Sequence, residues 1–388
     1  MIRILEKKDC CGCSACQQIC PKTCIRMEPD EEGFLYPNVD ETICIDCGLC
    51  EKVCPVINQC RKRVPSKAFA VWNCNEITRL NSSSGGVFSA IAIQILKDGG
   101  VVFGAKFNDR WEVVHDYIEK IEDLYLLQGS KYVQSVIGNT YSIAEIFLKR
   151  GRKVLFTGTS CQIAGLKRFL RTDYDNLLTI DVICHGVPSP MIWYRYLDYI
   201  ISNEKLSGVS SVEDISNISF RSKLTGWKNY SFQIRGNHGE LLSECFYDNL
   251  FMQGFLCNLY LRPSCHSCPA KSGKSGSDVT LGDYWGVSNH HPELDDDKGI
   301  SAVLDYNDVL YRLIPLQECN HVETKYEYIV RANSNVENSS PISPFRILFW
   351  DKYQESGVRV IGYILDKIRL NPLRKVVYKL RRIFRLCE

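Results

Sequence analysis

Cys10-Cys11-Gly12-Cys13-Ser14-Ala15-Cys16-Gln17-Gln18-Ile19-Cys20-Pro21 puts five cysteines into eleven residues of a 388-residue chain. Cys10, Cys13, Cys16, Cys20 and Pro21 follow the spacing C-x2-C-x2-C-x3-C-P, and Cys44, Cys47, Cys50, Cys54 and Pro55 repeat it thirty-four residues later. In such a run three thiolates wrap one [4Fe–4S] cube, while the fourth, set back by one more residue and a proline, ligates the other cube of a pair. Structural zinc asks for two C-x2-4-C pairs around one tetrahedral ion, not two runs of four. Gly12 and Gly48 stand where the backbone must pass close to a sulfide, which the missing Cβ permits. Cys11 and Cys24 fall outside both sets and are expected to be spectators.

Composition bounds the remainder. The chain is 45% hydrophobic and 24% charged, an ordinary globular balance that excludes a disordered or fibrous protein. A net charge of +2 gives no whole-molecule field suited to nucleic acid. The opening MIRILEKKDC has no apolar signal core, and no run of eighteen apolar residues follows. The expectation is a cytoplasmic protein whose twenty cysteines stay reduced and available to metal. The first sixty residues resemble the bacterial two-cluster ferredoxins. That resemblance implies one [4Fe–4S] cluster on Cys10, Cys13, Cys16 and Cys54, and a second on Cys44, Cys47, Cys50 and Cys20. Together they would form a relay for single electrons.

After a short basic linker at residues 60–65 the pattern becomes that of a mixed α/β body. KAFAVW from Lys67 reads as a strand, and NSSSGGVFSAIAIQILKDGG from Asn81 as a polar loop running into an amphipathic helix stopped by Gly99 and Gly100. VVFGAKF and WEVVHDYI read as paired strands, TYSIAEIFLKRG as a helix, KVLFTGT as a buried strand, SCQIAGLKRFL as a helix, and LLTIDVIC as a strand. This alternation predicts a mixed sheet with helices against it. Two loops are shaped for an anion: Ser82, Ser84, Gly85 and Gly86 at a helix start, and Thr157, Gly158, Thr159 and Ser160 after a strand. Neither is a dinucleotide or P-loop fingerprint, and each read alone is an N-cap. Beside an electron relay they point to FAD, the usual converter between one- and two-electron chemistry.

FTGTSCQIAGLKRFL, DVICHGVPSP, RPSCHSCPAKSGKSGSDVTLGDYWG and SSSGGVFSAIA together resemble the coenzyme F420 hydrogenase/dehydrogenase beta subunit family, to about Tyr306. The resemblance implies an FAD and iron–sulfur protein that moves electrons between FAD and a deazaflavin or other organic substrate, with clusters serving a further redox protein. Some members act on a chlorophyll side chain and others sit in polysaccharide pathways, so the fold does not name the substrate. The expected organisation is a ferredoxin-like domain at 1–60, a larger flavin-binding mixed-sheet domain in two parts at 66–150 and 151–310, and a helical extension at 311–388.

Cys161, Cys184, Cys265 and Cys268 lie at loops and strand ends and could converge. The family resemblance implies a third cluster there; zinc on the same four, a structural role, or a flavin-side thiol at Cys161 stay open, and Cys257 is a substitute for one of them. His185 is either a proton shuttle or a hydrogen-bond partner to sulfur. Lys131 is either a cation for a flavin phosphate or N1 region, or a solvated loop lysine; Asp283 is a site carboxylate or, the first reading, a turn cap. The tail from Ile368 is a basic amphipathic helix, suited to the protein's own core or to an anionic membrane surface or acidic partner. The leading expectation is an oxidoreductase whose partner is a ferredoxin-type protein or a separate catalytic chain. Its rivals are a non-catalytic electron-transfer subunit and a protein whose centres are structural.

Overall fold

The computed structural model describes the chain except residues 203–205, 207–208, 210, 310–317 and 371–388. The basic amphipathic segment expected at the C-terminus therefore lies almost wholly outside the described residues. The N-terminal region is a small unit. Strands β1 (Ile25–Pro29) and β2 (Leu35–Val39) form an antiparallel hairpin, flanked by short helices at Ala15–Ile19 and Leu49–Lys52. Each helix begins inside one cysteine run, after a residue in the left-handed region: Ser14 with φ 58° and Gly48 with φ 70°.

The body is built on an eight-stranded sheet. Its strands are β3 (Lys67–Asn73), β4 (Val101–Phe107), β5 (Val113–Ile118), β6 (Val154–Thr159) and β7 (Leu177–Val182), followed after an insertion by β11 (Val279–Asp283), β12 (Ser301–Asp305) and β13 (Cys319–Thr324). The insertion contributes β8 (Ile215–Ser222), β9 (Ser231–Gly236) and β10 (Gly239–Cys245), a separate antiparallel sheet. The large sheet runs in the order β13-β3-β12-β11-β7-β6-β4-β5. Four central strands, β11, β7, β6 and β4, are parallel, and antiparallel strands close both sides.

Strand alternation gives the sheet two apolar faces. Val102 and Leu155 face one cluster with Val87, Ile91 and Ile95 of the Val87–Lys97 helix. Val101, Phe103, Val154 and Phe156 face the other, with Tyr141, Ala144, Ile163 and Leu166 from the helices Thr140–Lys149 and Ser160–Leu170. Both faces are covered, which is why β6 opens with a continuous apolar run rather than an alternating one. Cys11, Cys13, Ala15 and Val53 join this second cluster, so the N-terminal unit packs onto a helical face of the body.

The 60–65 linker is docked. The Arg63 backbone N–H donates to the Ser272 carbonyl at 3.0 Å, and its guanidinium donates to the Ser277 carbonyl at 3.0 Å and Asn307 Oδ1 at 2.9 Å. Gln18 Oε1 accepts the backbone N–H groups of Tyr141 and Ser142, each at 3.1 Å, capping the N-terminus of a body helix from the N-terminal unit. Arg346 forms a largely buried, two-pronged ion pair with Glu32 in the β1–β2 turn, one bond measuring 2.8 Å. Among the described residues no helix is long and apolar enough to cross a membrane.

Candidate functional site

The two cysteine runs meet across the hairpin. A solvent-connected cavity of about 350 Å³ is lined by Cys44, Cys47 and Cys50 of the second run and by Cys20 of the first. Cys24, expected to be a spectator, lines the same cavity with its sulfur 3.3 Å from that of Cys20. On the other side, Cys54 of the second run lies in the electrostatic neighbourhood of Cys10, Cys13 and Cys16. Backbone N–H groups already point at sulfur: Gly12 to Cys10 at 3.4 Å, Asp46 to Cys44 at 3.4 Å and Ile2 to Cys50 at 3.3 Å. Such donors stabilise thiolate bound to a cluster and tune its potential.

A second cavity, of about 430 Å³, brings together Cys161, Cys184, Cys265 and Cys268 from distant parts of the sequence. Cys161 opens the helix after β6, Cys184 follows β7, and the other two belong to a short helical turn at Pro263–Ser267 and its end. The Val187 N–H donates to Cys265 at 3.4 Å. Burial pushes the Cys184 thiol up to about 12 and also raises that of Cys265. Buried thiols of this kind stay inert unless a metal centre ionises them. Among the described residues no three His, Cys, Asp or Glu side chains close on a single ion. Cys257 does not line this cavity and packs against the core near Tyr260.

Cys11 also lines the second cavity, beside Cys161, whose thiol it perturbs through a side-chain hydrogen bond. It forms a wall shared by the first run and the four-cysteine pocket. Arg262 stands at the same wall and is fully buried. No spacing signal marks either role, because the neighbours lie 150 and about 250 residues away in the chain.

His185 is in the cavity wall, with Nε2 2.6 Å from Asn258 Oδ1, Nδ1 3.4 Å from the Asn335 amide, and its ring edge on Phe255. Its ring partners are amides, not sulfur, and burial lowers its pKa. Thr159 and Ser160 line the cavity too, Thr159 closing a capping box with Gln162. Thr157 Oγ1 donates to the Phe103 carbonyl at 2.9 Å, and a Cβ on Gly158 would stand 3.3 Å from His115 Nε2.

The serine-glycine loop sits at the carboxyl end of β3 and is bonded largely to its own fold. Ser82 Oγ donates to the Thr78 carbonyl at 2.7 Å, Ser84 Oγ to the Ile300 carbonyl at 2.8 Å, and the Gly85 N–H to Ser301 Oγ at 2.9 Å. Gly86, with φ 84°, precedes the Val87–Lys97 helix. Ser83 Oγ accepts the Ser130 N–H at 2.7 Å, which sets Lys131 beside the loop. Lys131 is half-buried: Nζ donates to the carbonyls of Gln128 at 2.9 Å and Gly129 at 3.2 Å, and burial lowers its pKa to about 7. Asp283 is not a turn cap. It receives Arg221 at 2.9 and 3.2 Å and the Trp227 indole at 2.9 Å, while the Arg221 guanidinium lies over Tyr230.

Two family models match parts of the chain. Residues 9–58 match the family model described as 4Fe-4S dicluster domain. Residues 151–326 match the model for the C-terminal part of the coenzyme F420 hydrogenase/dehydrogenase beta subunit. That match covers a little under half of the chain. No curated protein matches the chain. A solved structure titled "Xenon derivatization of the F420-reducing [NiFe] hydrogenase complex from Methanosarcina barkeri" is similar at 15% identity and TM-score 0.45, covering 79% of this chain and 94% of that one.

Proposed function

We propose that the chain is an iron–sulfur oxidoreductase in which Cys10, Cys13, Cys16 and Cys54 hold one [4Fe–4S] cluster and Cys44, Cys47, Cys50 and Cys20 a second. Cys161, Cys184, Cys265 and Cys268 hold a third, and FAD sits with its anionic part toward Lys131 and the two hydroxyl-rich loops. When bound, the clusters supply one-electron transfer and the flavin converts it to two-electron chemistry on a small organic substrate. The single observation that carries the reading is the cavity of four cysteines whose wall is shared with the first run through Cys11.

The protein's own residues position and exclude. Burial of Cys10, Cys13, Cys16 and Cys54 keeps water from the first cluster's side of the module, while Cys47 stands exposed at the other side, where a redox partner protein can approach. Thr157, Thr159 and Cys184 lie at the carboxyl ends of parallel strands or just beyond, the customary ligand crevice of open α/β sheets. Lys131, with a pKa near 7, can hold or release a proton at Nζ beside an anionic group. His185, kept neutral at pH 7 by burial, is a hydrogen-bonding wall residue before it is an acid. The reduced thiols suit a cytoplasmic setting.

The test is anaerobic purification of the intact chain followed by counts of iron, sulfide and extractable flavin. About twelve irons and one FAD are expected, about eight irons would remove the third centre, and zinc or absence of flavin would remove the redox or flavin part of the assignment.

A further inference from the structure

Arg262 is fully buried, yet none of its bonds goes to a carboxylate. Nε donates to the Cys10 carbonyl at 2.8 Å, Nη1 to Gln134 Oε1 at 3.0 Å, and Nη2 to the Leu35 carbonyl at 2.9 Å and to Cys10 Sγ at 3.5 Å. Tyr36 lies under the guanidinium at 4.3 Å and Phe34 at 5.4 Å. Gln134 in turn donates to the Cys11 carbonyl at 3.1 Å. The residue also lines the four-cysteine cavity, beside Cys265 three positions along the chain.

A buried cation is expensive to desolvate unless an opposite charge faces it. Here the neighbours are carbonyl oxygens, ring faces and cysteine sulfurs, so the compensating charge must come from thiolate. The first run is shaped to admit it. A Cβ on Gly12 would stand 2.8 Å from Nη1 and 2.8 Å from Gln134 Nε2. Gly48, the matching glycine of the second run, has no atom within 4 Å of its Cβ position among the described residues. The same sequence pattern therefore meets a guanidinium at one run and open space at the other.

We infer that Arg262 is the positioning residue that fixes the first cluster against the four-cysteine pocket and raises that cluster's reduction potential through its charge at Cys10. The inference rests on the cluster assignment proposed above. Adding an electron makes the centre more negative, so a fixed positive charge favours the reduced form; at the second run the Met1 ammonium is paired with Asp46 at 2.7 Å and Glu51 at 3.4 Å and Lys22 is exposed, so the buried, carboxylate-free Arg262 acts chiefly on the first centre.

The experiment is an anaerobic redox titration of the intact chain followed by EPR. Arg262→Gln is expected to shift the electron partition between the two ferredoxin-type clusters at least tenfold away from the first, about 59 mV for a one-electron couple. Arg262→Lys, which retains the charge, is expected to stay within about threefold of the wild type. Arg262→Gln with full iron content and unmoved potentials, or with both potentials moved alike, overturns the inference. A variant that folds poorly does not close the question: wild-type protein labelled with guanidino-15N arginine should show nitrogen hyperfine coupling in the reduced first cluster by pulsed EPR, and its absence overturns the inference as well. Wild-type protein without iron would overturn the parent assignment; full iron with no arginine effect overturns this inference alone.

Discussion

The two cysteine runs share one spacing and differ in everything the rest of the chain does to them. Cys10, Cys13 and Cys16 are buried against the body, with Gly12 hemmed in by Arg262 and Gln134. In the second run Cys44 is half-buried, Cys47 is exposed, and Ile43 and Ile45 beside them stand 49% and 57% exposed. Ligand chemistry is thus written locally, while solvent access and field are imposed by residues far away in sequence. One run faces inward to a second group of thiols, and the other faces outward.

The comparison breaks first if the runs do not exchange ligands. Cys20→Ala is expected to strip the second cluster and Cys54→Ala the first, each losing about four irons; EPR of the surviving centre identifies which one remains, and loss of the neighbouring cluster instead would refute the exchange. Exposure gives a second test. Under a mild oxidant or chelator, iron at the outward run should be lost at least about tenfold faster than at the inward run, following thiol accessibility; equal rates by EPR would remove the distinction.

The inward contact should cost stability when it is cut. Arg346→Met leaves Glu32 buried without its partner, and a loss of about 3 kcal/mol in denaturant unfolding is expected, mostly restored by adding Glu32→Gln. Acid weakens the body behind the inward run. His115 is buried and neutral, Nε2 donating to the Thr157 carbonyl at 2.9 Å and Nδ1 accepting from Ser135, and burial lowers its pKa from 6.5 to about 4. The unfolded chain binds the extra proton between those values, so stability falls as pH drops from about 6.5 to 4, by about 3 kcal/mol; His115→Gln should flatten that slope. The smallest effect separates the glycines. Gly48→Ala meets only the left-handed backbone penalty, about 1–2 kcal/mol, and Gly12→Ala should cost measurably more because its Cβ collides with Arg262.

Much of this was legible in the chain. Residues at fixed short spacing, such as Cys44, Cys47 and Cys50, reveal their chemistry because the geometry that joins them is local. The strands and helices from Lys67 to Val182 follow from apolar runs bounded by glycine and polar clusters. Convergence of Cys161 and Cys184 with the Cys265–Cys268 pair was suggested by their positions at strand ends and required the sheet order β11-β7-β6 to bring them together. Cys11, Arg262 and the true partner of Asp283 were hidden, since each is defined by a neighbour that only tertiary packing supplies. Lys131 could be read as a solvated loop residue because sequence carries no measure of how a loop is covered.

The fastening of the N-terminal unit has a kinetic consequence. Arg63, Gln18 and Glu32 anchor it to the body at three separate places. A carrier clamped at three corners does not swing on a tether between donor and acceptor. Any exchange between the unit and the body then occurs across a constant gap, and thickening the medium with glycerol should slow encounters with outside proteins while leaving the internal step untouched.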